Sequence, residues 1–307
     1  MDKILITGGN GMVGKNLINY LSKKNQTNLL YPSRSELDLT DFKSVLSFIN
    51  NNKPDAIIHC AGLVGGIQAN IERPYSYLNR NLIMGSNLVE ASILNKVPKL
   101  INLGSSCMYP ANISSKLNEK DILSGKLEPT NEGYAIAKIA IAKLCEFAKK
   151  EFGLDYKTII PCNLYGKWDK FDPDNSHMIP AVIRKLHLAK TNNDIPLIWG
   201  DGNTRREFMY AEDLADFIDY SLINYNLLES YTNVGLGYDY SILDYYKEIA
   251  FIVKYKGDFK FDLTKPSGMK RKLCSIKKQE KLAWRPKHTL KEGLTKTYKY
   301  YLENYGI

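Results

Sequence analysis

The order of apolar and amphipathic runs predicts an α/β protein built on a doubly wound parallel sheet, and three observations carry that reading. Strand-like runs alternate with helical stretches through the first half of the 307-residue chain, a glycine-rich turn follows the first run, and after about residue 163 the pattern loosens. In order, Lys3–Thr7 precedes a helical stretch at 12–24, Asn28–Tyr31 precedes 41–51 and Ala56–Cys60 precedes 81–95. Leu100–Leu103 then precedes 134–152, and Lys157–Pro161 closes the series. Parallel strands need crossover connections, so this alternation puts helices on both faces of the sheet. Beyond Asn163 come the loop YGKWDKFDPDNSH, a helix at 179–190, a strand at Pro196–Trp199 and the loop GDGNTRREF. A helix at 211–223 and a strand near Thr232–Val234 follow, and the remainder reads as less regular and more basic. Residues 1–165, with 208–237 returning to them, form the sheet domain in this reading; 166–207 and 238–307 form a smaller lobe over the carboxyl ends of the strands. Ligands of open α/β sheets bind in that crevice.

Composition narrows the function classes. With 44% hydrophobic and 11% aromatic residues, the chain can bury enough apolar surface to offset the entropy of ordering, which excludes a disordered protein. Cys60, Cys107, Cys145, Cys162 and Cys274 are odd in number and scattered, with no C-x-x-C pair. They read as free thiols in a reducing compartment, and no metal site is expected. The opening MDKILITGGNG is too short for a signal peptide, and no run approaches the roughly 18 apolar residues of a membrane span. A cytoplasmic protein without a membrane partner is expected. The net charge of +9 lies largely in KPSGMKRKLCSIKKQEK at 265–281, which is either a solvated face or a site for an anionic small molecule. That run holds no aromatic residue on which a base could stack, so nucleic acid is not expected as a partner.

KILIT runs into GGNGMVG and then into a helix, placing Gly8, Gly11 and Gly14 where backbone approaches a pyrophosphate and a helix N-terminus stabilises its charge. A Rossmann-type dinucleotide site is predicted. An NAD site places an acid at the end of the second strand, whereas an NADP site places an arginine there. LLYPSRSELDL has no acid between Leu29 and Ser33 and has Arg34 at the right distance, so the cofactor expected is NADPH/NADP.

Tyr134 and Lys138 in YAIAK stand four apart at the start of a helical stretch and project from one face. A phenol titrates near 10, too high for proton transfer at neutral pH, and an ammonium nearby favours phenolate. Ser105, in GSSCMYP at the end of the fourth strand, can hold a substrate oxygen against the same point. Tyr-x-x-x-Lys alone arises often by chance; its weight here comes from the dinucleotide loop and the serine-bearing strand that precede it.

With these motifs in place the chain resembles the extended short-chain dehydrogenase/reductases, and within them the GDP-L-fucose synthase family of 3,5-epimerase/4-reductases. The matching stretches are GGNGMVG, VGGIQAN, LGSSCMYP, LEPTNEGYAIAK, NLYG, SHMIPAVIRK, WGDGNTRREF, NVGLG and KPSGMKRKL, in register from residue 4 to about 302. The resemblance implies a reductase triad of Ser105, Tyr134 and Lys138, with Cys107 and His177 as the acid/base pair for epimerisation. It implies cofactor contacts from Gly8, Gly11, Met12, Val13, Gly14, Arg34, Asp38, Leu39, Ala61, Lys138 and Asn163. Substrate contacts fall on Asn163, Arg184, Lys185, Trp199, Arg206, Lys265 and Arg271. It further implies a GDP-4-keto sugar substrate and a homodimer that pairs helical stretches 81–95 and 134–150. The chain departs from the family pattern at Asn10, Cys162, Lys167, Trp168 and Lys185. Changes at 167–168 and 185, expected near the sugar and diphosphate, keep a GDP-linked heptose open beside the 6-deoxy-hexose.

Overall fold

The computed structural model describes residues 3–26, 28–172, 176–264 and 269–306. Its first half repeats one unit: β1 (Ile4–Thr7), α1 (Met12–Lys23), β2 (Leu29–Leu30), α2 (Phe42–Asn52) and β3 (Ala56–His59). Helices α3 (Ile67–Glu72) and α4 (Pro74–Leu94) lead to β4 (Lys99–Leu103), α5 (Glu132–Phe152) and β5 (Lys157–Pro161). Helix α4 begins at Pro74, earlier than the periodicity predicts, because a proline at the first helical position has its φ preset and needs no amide partner. Helix α5 begins at Glu132, whose carboxylate suits the positive end of the helix dipole, so Tyr134 lies in its first turn.

Six strands pair in the order β10-β5-β4-β3-β1-β2, with β10 at Tyr231–Val234, and every neighbouring pair is parallel. Side chains alternate along each strand, and here both faces are apolar. Ile4, Ile6, Ile58 and Ile101 enter the core with Leu17 of α1 and Phe217 of α7 (Ala211–Ile223). Leu5, Ile57 and Leu100 enter the opposite core with Val45 of α2, Leu88 of α4 and Ile141 of α5. Burial on both faces is why these strands read as near-continuous hydrophobic runs. The chain passes from β1 to β2 on one side and then returns to β3 on the other, so a crevice opens at the carboxyl ends of β1 and β3.

The rest of the chain packs around a third core that holds Ile179, Val182 and Leu186 of α6 (Met178–Asn192), Tyr245 and Ile249 of α8 (Ile242–Val253), and Leu294 and Tyr301 of α10 (Leu290–Tyr305). Short strands complete it: β6 (Asn163–Tyr165) with β9 (Phe208–Tyr210), β7 (Leu197–Trp199) with β12 (Lys260–Asp262), and β8 (Arg205–Arg206) between β11 (Tyr240–Ser241) and β13 (Arg271–Lys272). Helix α9 (Lys277–Lys281) precedes α10. The region read as irregular thus contains two long helices, each opened by a capping box, Ser241 with Asp244 and Thr289 with Glu292. That spacing is a helix-start signal present in the sequence. Among the described residues no helix is long and apolar enough to cross a membrane, and no cluster of His, Cys, Asp or Glu could hold a metal ion.

Candidate active site

A cleft of about 320 Å³ opens at the β1/β3 crevice, lined on one wall by Gly8–Gly11 and on the other by Cys60–Leu63. Gly8 takes φ +72°, and a Cβ on it would sit 2.6 Å from the Ala61 backbone. A Cβ on Gly14 would sit 2.3 Å from the Gly8 carbonyl oxygen, so glycine is what lets α1 start against the loop. Met12 and Val13 open α1, and its cap residue Gly11 offers no side chain to their turn. The first-turn amides are therefore available to an anion. Arg34, Asp38 and Leu39 line the far end. Asp38 accepts bonds from the Thr40 amide and hydroxyl, at 2.9 and 2.7 Å, while Arg34 forms no ion pair among the described residues. These residues fit a dinucleotide with an additional phosphate on its adenosine ribose. Leu63, Arg80 and Met84 also line the cleft and carry no local motif that would have marked them.

Beside this cleft, β4 ends in Gly104 and a single tight turn, residues 106–108, capped by the Ser105 hydroxyl accepting from the Cys107 amide at 3.2 Å. The turn buries Ser106, Met108 and Tyr109 and leaves only Ser105 and Cys107 partly exposed in 105–110. Tyr134 lies against both. Burial and the neighbouring Cys107 push its phenol above the ordinary value, and the hydrogen bond with Ser105 pulls the other way. The Lys138 ammonium sits 5.8 Å from the Tyr134 ring centre and donates to the Leu103 carbonyl at 2.8 Å. Burial lowers Lys138 to about 8, partly opposed by Cys60. The ammonium thus faces the Tyr134 ring and a backbone carbonyl, and burial is the largest influence on the phenol, in the direction that favours its protonated form. Lys138 Nζ also lies 3.9 Å from where a Gly62 Cβ would be, so it borders the cofactor cleft.

Two residues outside the expected set meet Cys107. Asn131 Nδ2 donates to its sulfur at 3.3 Å, and Lys272 Nζ does so at 3.5 Å from 165 residues away. Arg206 is close enough for charge coupling to Cys107 and Glu128, while burial pulls its guanidinium below the ordinary value. The β8/β13 register pairs Arg205 with Arg271 and Arg206 with Lys272. Successive residues of a strand face opposite ways, so the first pair turns from the site and the second turns to it. Arg205 and Arg271 both bind Asp239, at 2.8 and 2.5 Å.

His177 caps α6, and burial followed by the nearby Lys170 charge lowers its imidazole from the ordinary value. Its ring makes no hydrogen bond among the described residues; its neighbour Ser176 abuts the turn at Gly66. Asn163 Nδ2 donates to the Glu207 carbonyl at 2.9 Å. Arg184 faces Tyr301 of α10, and Lys185 donates to the Leu197 carbonyl at 2.7 Å. Trp199 is about half exposed at the end of β7. Lys265 lies outside the described residues. Trp168 packs on Tyr300 with ring centres 6.1 Å apart, and the Lys167 carbonyl accepts from Asn16 at 3.0 Å. The Trp168 ring therefore ties its loop to α10, and the backbone at 167 ties it to α1.

A switch-point dinucleotide cleft joined to a Ser-Tyr-Lys group defines a nucleotide-dependent oxidoreductase fold. The chain belongs to the NAD dependent epimerase/dehydratase family, matched over residues 4–237. It is 52% identical to the GDP-L-colitose synthase of Yersinia pseudotuberculosis over 302 residues, 98% of each chain. It is 46% identical to the GDP-L-fucose synthase of Azorhizobium caulinodans, covering 98% of this chain and 96% of that one. Among solved structures, the GDP-mannoheptose C4 reductase of Campylobacter jejuni with NADP bound superimposes with a TM-score of 0.89 at 33% identity, covering 98% of each chain.

Proposed function

We propose that this protein is an NADPH-dependent reductase of the C4 ketone of a GDP-linked 4-keto sugar and that it also epimerises the carbons flanking that ketone. The observation that carries the reading is the turn after β4, which exposes Ser105 and Cys107 alone beside Tyr134. Residues 1–165 with 208–237 hold the cofactor in this reading, and 166–207 with 238–307 hold the GDP-sugar. Gly8, Gly11 and Gly14 with the α1 amides receive the pyrophosphate, Arg34 the 2′-phosphate, and Asp38, Leu39 and Ala61 the adenosine. NADPH supplies hydride when bound. Ser105 and Tyr134 hold the C4 oxygen, and Tyr134, whose phenol burial holds above its ordinary value, transfers its proton as negative charge develops there. The same two donors stabilise an enolate when a proton leaves C3 or C5. Cys107 and His177 exchange those protons on opposite faces, and Lys272 is the charge that pairs with the Cys107 sulfur.

A second reading, reduction alone on a GDP-heptose, draws support from the name of the Campylobacter reductase. Incubation with NADPH and GDP-4-keto sugars of six and seven carbons in D2O separates the two. Deuterium at C3 or C5 that Cys107→Ser abolishes, with reduction of an already epimerised ketone retained, supports epimerisation. A native protein that reduces the ketone but incorporates no deuterium is a reductase only. All five cysteines are free, in keeping with a cytoplasmic enzyme. Ile136, Leu144 and Phe147 leave an apolar strip exposed on α5, which suits a homodimer across that helix, and light scattering showing only monomer at micromolar concentration would overturn it.

A further inference from the structure

We propose that Asp239 is a positioning residue that sets which cation faces Cys107, an inference that rests on the role of Cys107 proposed above. Strands β8, β11 and β13 have two residues each, too few backbone bonds to hold a register firmly. Asp239 stands immediately before β11, which pairs with β8, and β8 in turn pairs with β13. Its carboxylate takes Arg205 Nε on one oxygen at 2.8 Å and Arg271 Nε on the other at 2.5 Å, and its carbonyl takes Arg205 Nη2 at 2.7 Å. The side chain is 2% exposed, whereas the two arginine side chains are 43% and 46% exposed, so the buried anion is the fixed point of the group. Burial would raise its carboxyl, but the bonds from Arg271 and Arg205 outweigh that and hold it below the usual carboxylate range.

The consequence follows from strand alternation. With Arg205 and Arg271 pinned to Asp239, their neighbours Arg206 and Lys272 must point the other way, toward Cys107. A slip of one residue would exchange the faces and withdraw Lys272 from the sulfur. Two cations side by side also repel, and removing Arg205 and Arg271 to a shared carboxylate on the opposite face leaves Arg206 and Lys272 as the pair near the site.

The test is a double-mutant cycle on the full-length protein, read by the rate at which iodoacetamide alkylates Cys107 in the resting enzyme, located by peptide mass spectrometry. Lys272→Met should slow alkylation by about tenfold, as expected for loss of a cation beside a thiol. Asp239→Asn, which keeps the shape, should slow it several-fold; Asp239→Glu should recover part of the rate; and Asp239→Asn should add little when Lys272 is already Met. NADPH affinity should stay within about twofold throughout, which shows that the fold persists. Independent effects of the two substitutions, or no effect of Asp239→Asn, would overturn the proposal. Deuterium incorporation run in parallel keeps the two claims apart: alkylation that follows the cycle while the native enzyme washes in no deuterium removes epimerisation and leaves the Asp239 role standing.

Discussion

At the proposed cofactor end, the lining comes from the ends of neighbouring strands, Thr7–Gly11 at the end of β1 and Cys60–Leu63 after β3, joined by a close backbone approach at Gly8 and Ala61. At the proposed substrate end, Asn131 meets Cys107 from the segment before α5, whereas Arg206 and Lys272 approach it from a three-stranded patch clamped by one buried aspartate. The first end is built by backbone, and its requirements fall on residue type at fixed spacing. The second is built by side chains whose direction depends on register. Tyr134 stands where the two meet.

Substitutions that separate the ends should show it. Tyr134→Phe removes the proton at the junction and keeps the ring, so turnover should fall by roughly 10²–10⁴-fold, the usual range for general acid catalysis, with NADPH affinity retained. Near-normal turnover would mean that another group protonates the ketone. Arg34→Ala acts at the cofactor end alone: it should weaken NADPH by about 10- to 100-fold, the equivalent of roughly 1.5–3 kcal/mol for a charge-assisted pair, and leave NADH nearly unchanged. Equal use of NADPH and NADH by the native protein would remove the role of Arg34. Gly14→Ala pushes a methyl into the Gly8 carbonyl and should cost about 1–3 kcal/mol in urea unfolding together with cofactor affinity. If the variant binds NADPH normally, the loop is more compliant than its geometry implies.

A further effect is a pH dependence at the base of the cofactor end. His59 is 2% exposed, bonded through Nδ1 to the Thr7 hydroxyl at 2.9 Å, and burial with the Lys138 charge lowers it to about 3. Between pH 6.5 and 3 the unfolded chain binds the extra proton and the folded chain does not, so His59 makes stability fall as pH drops through that window. The slope contributed is at most about 1.4 kcal/mol per pH unit. Unfolding free energies of native and His59→Asn protein from pH 7 to 4 should converge toward acid, and parallel curves would show that folding does not lower the His59 pKa.

How much of this was legible follows from the same contrast. GGNGMVG could be read because Gly8 needs a positive φ and Gly14 has no room for a side chain, conditions that only glycine meets and that a strand and helix on either side make recognisable. GSSCMYP reads as a candidate site, although the sequence did not tell which of its polar side chains the turn would bury; the turn covers Ser106 and leaves its neighbours partly exposed. Within KPSGMKRKL, by contrast, Arg271 was the expected substrate contact, and nothing in the run distinguishes it from Lys272. Their opposite fates, one on Asp239 and one on Cys107, are fixed by a pairing with β8 that brings together residues 66 apart, Arg205 with Arg271, before either side chain has a direction.

The sequence by itself therefore determined the parallel sheet and the dinucleotide loop and pointed to Ser105, Tyr134 and Lys138, because each depends on periodicity or on a conformational need local to a few residues. Tertiary structure alone decided that Asn131 and Lys272 meet Cys107 and that Arg271 turns to Asp239. Those outcomes depend on burial and on strand register, which are set by the sum of contacts across the molecule and leave no mark at the residues they act upon.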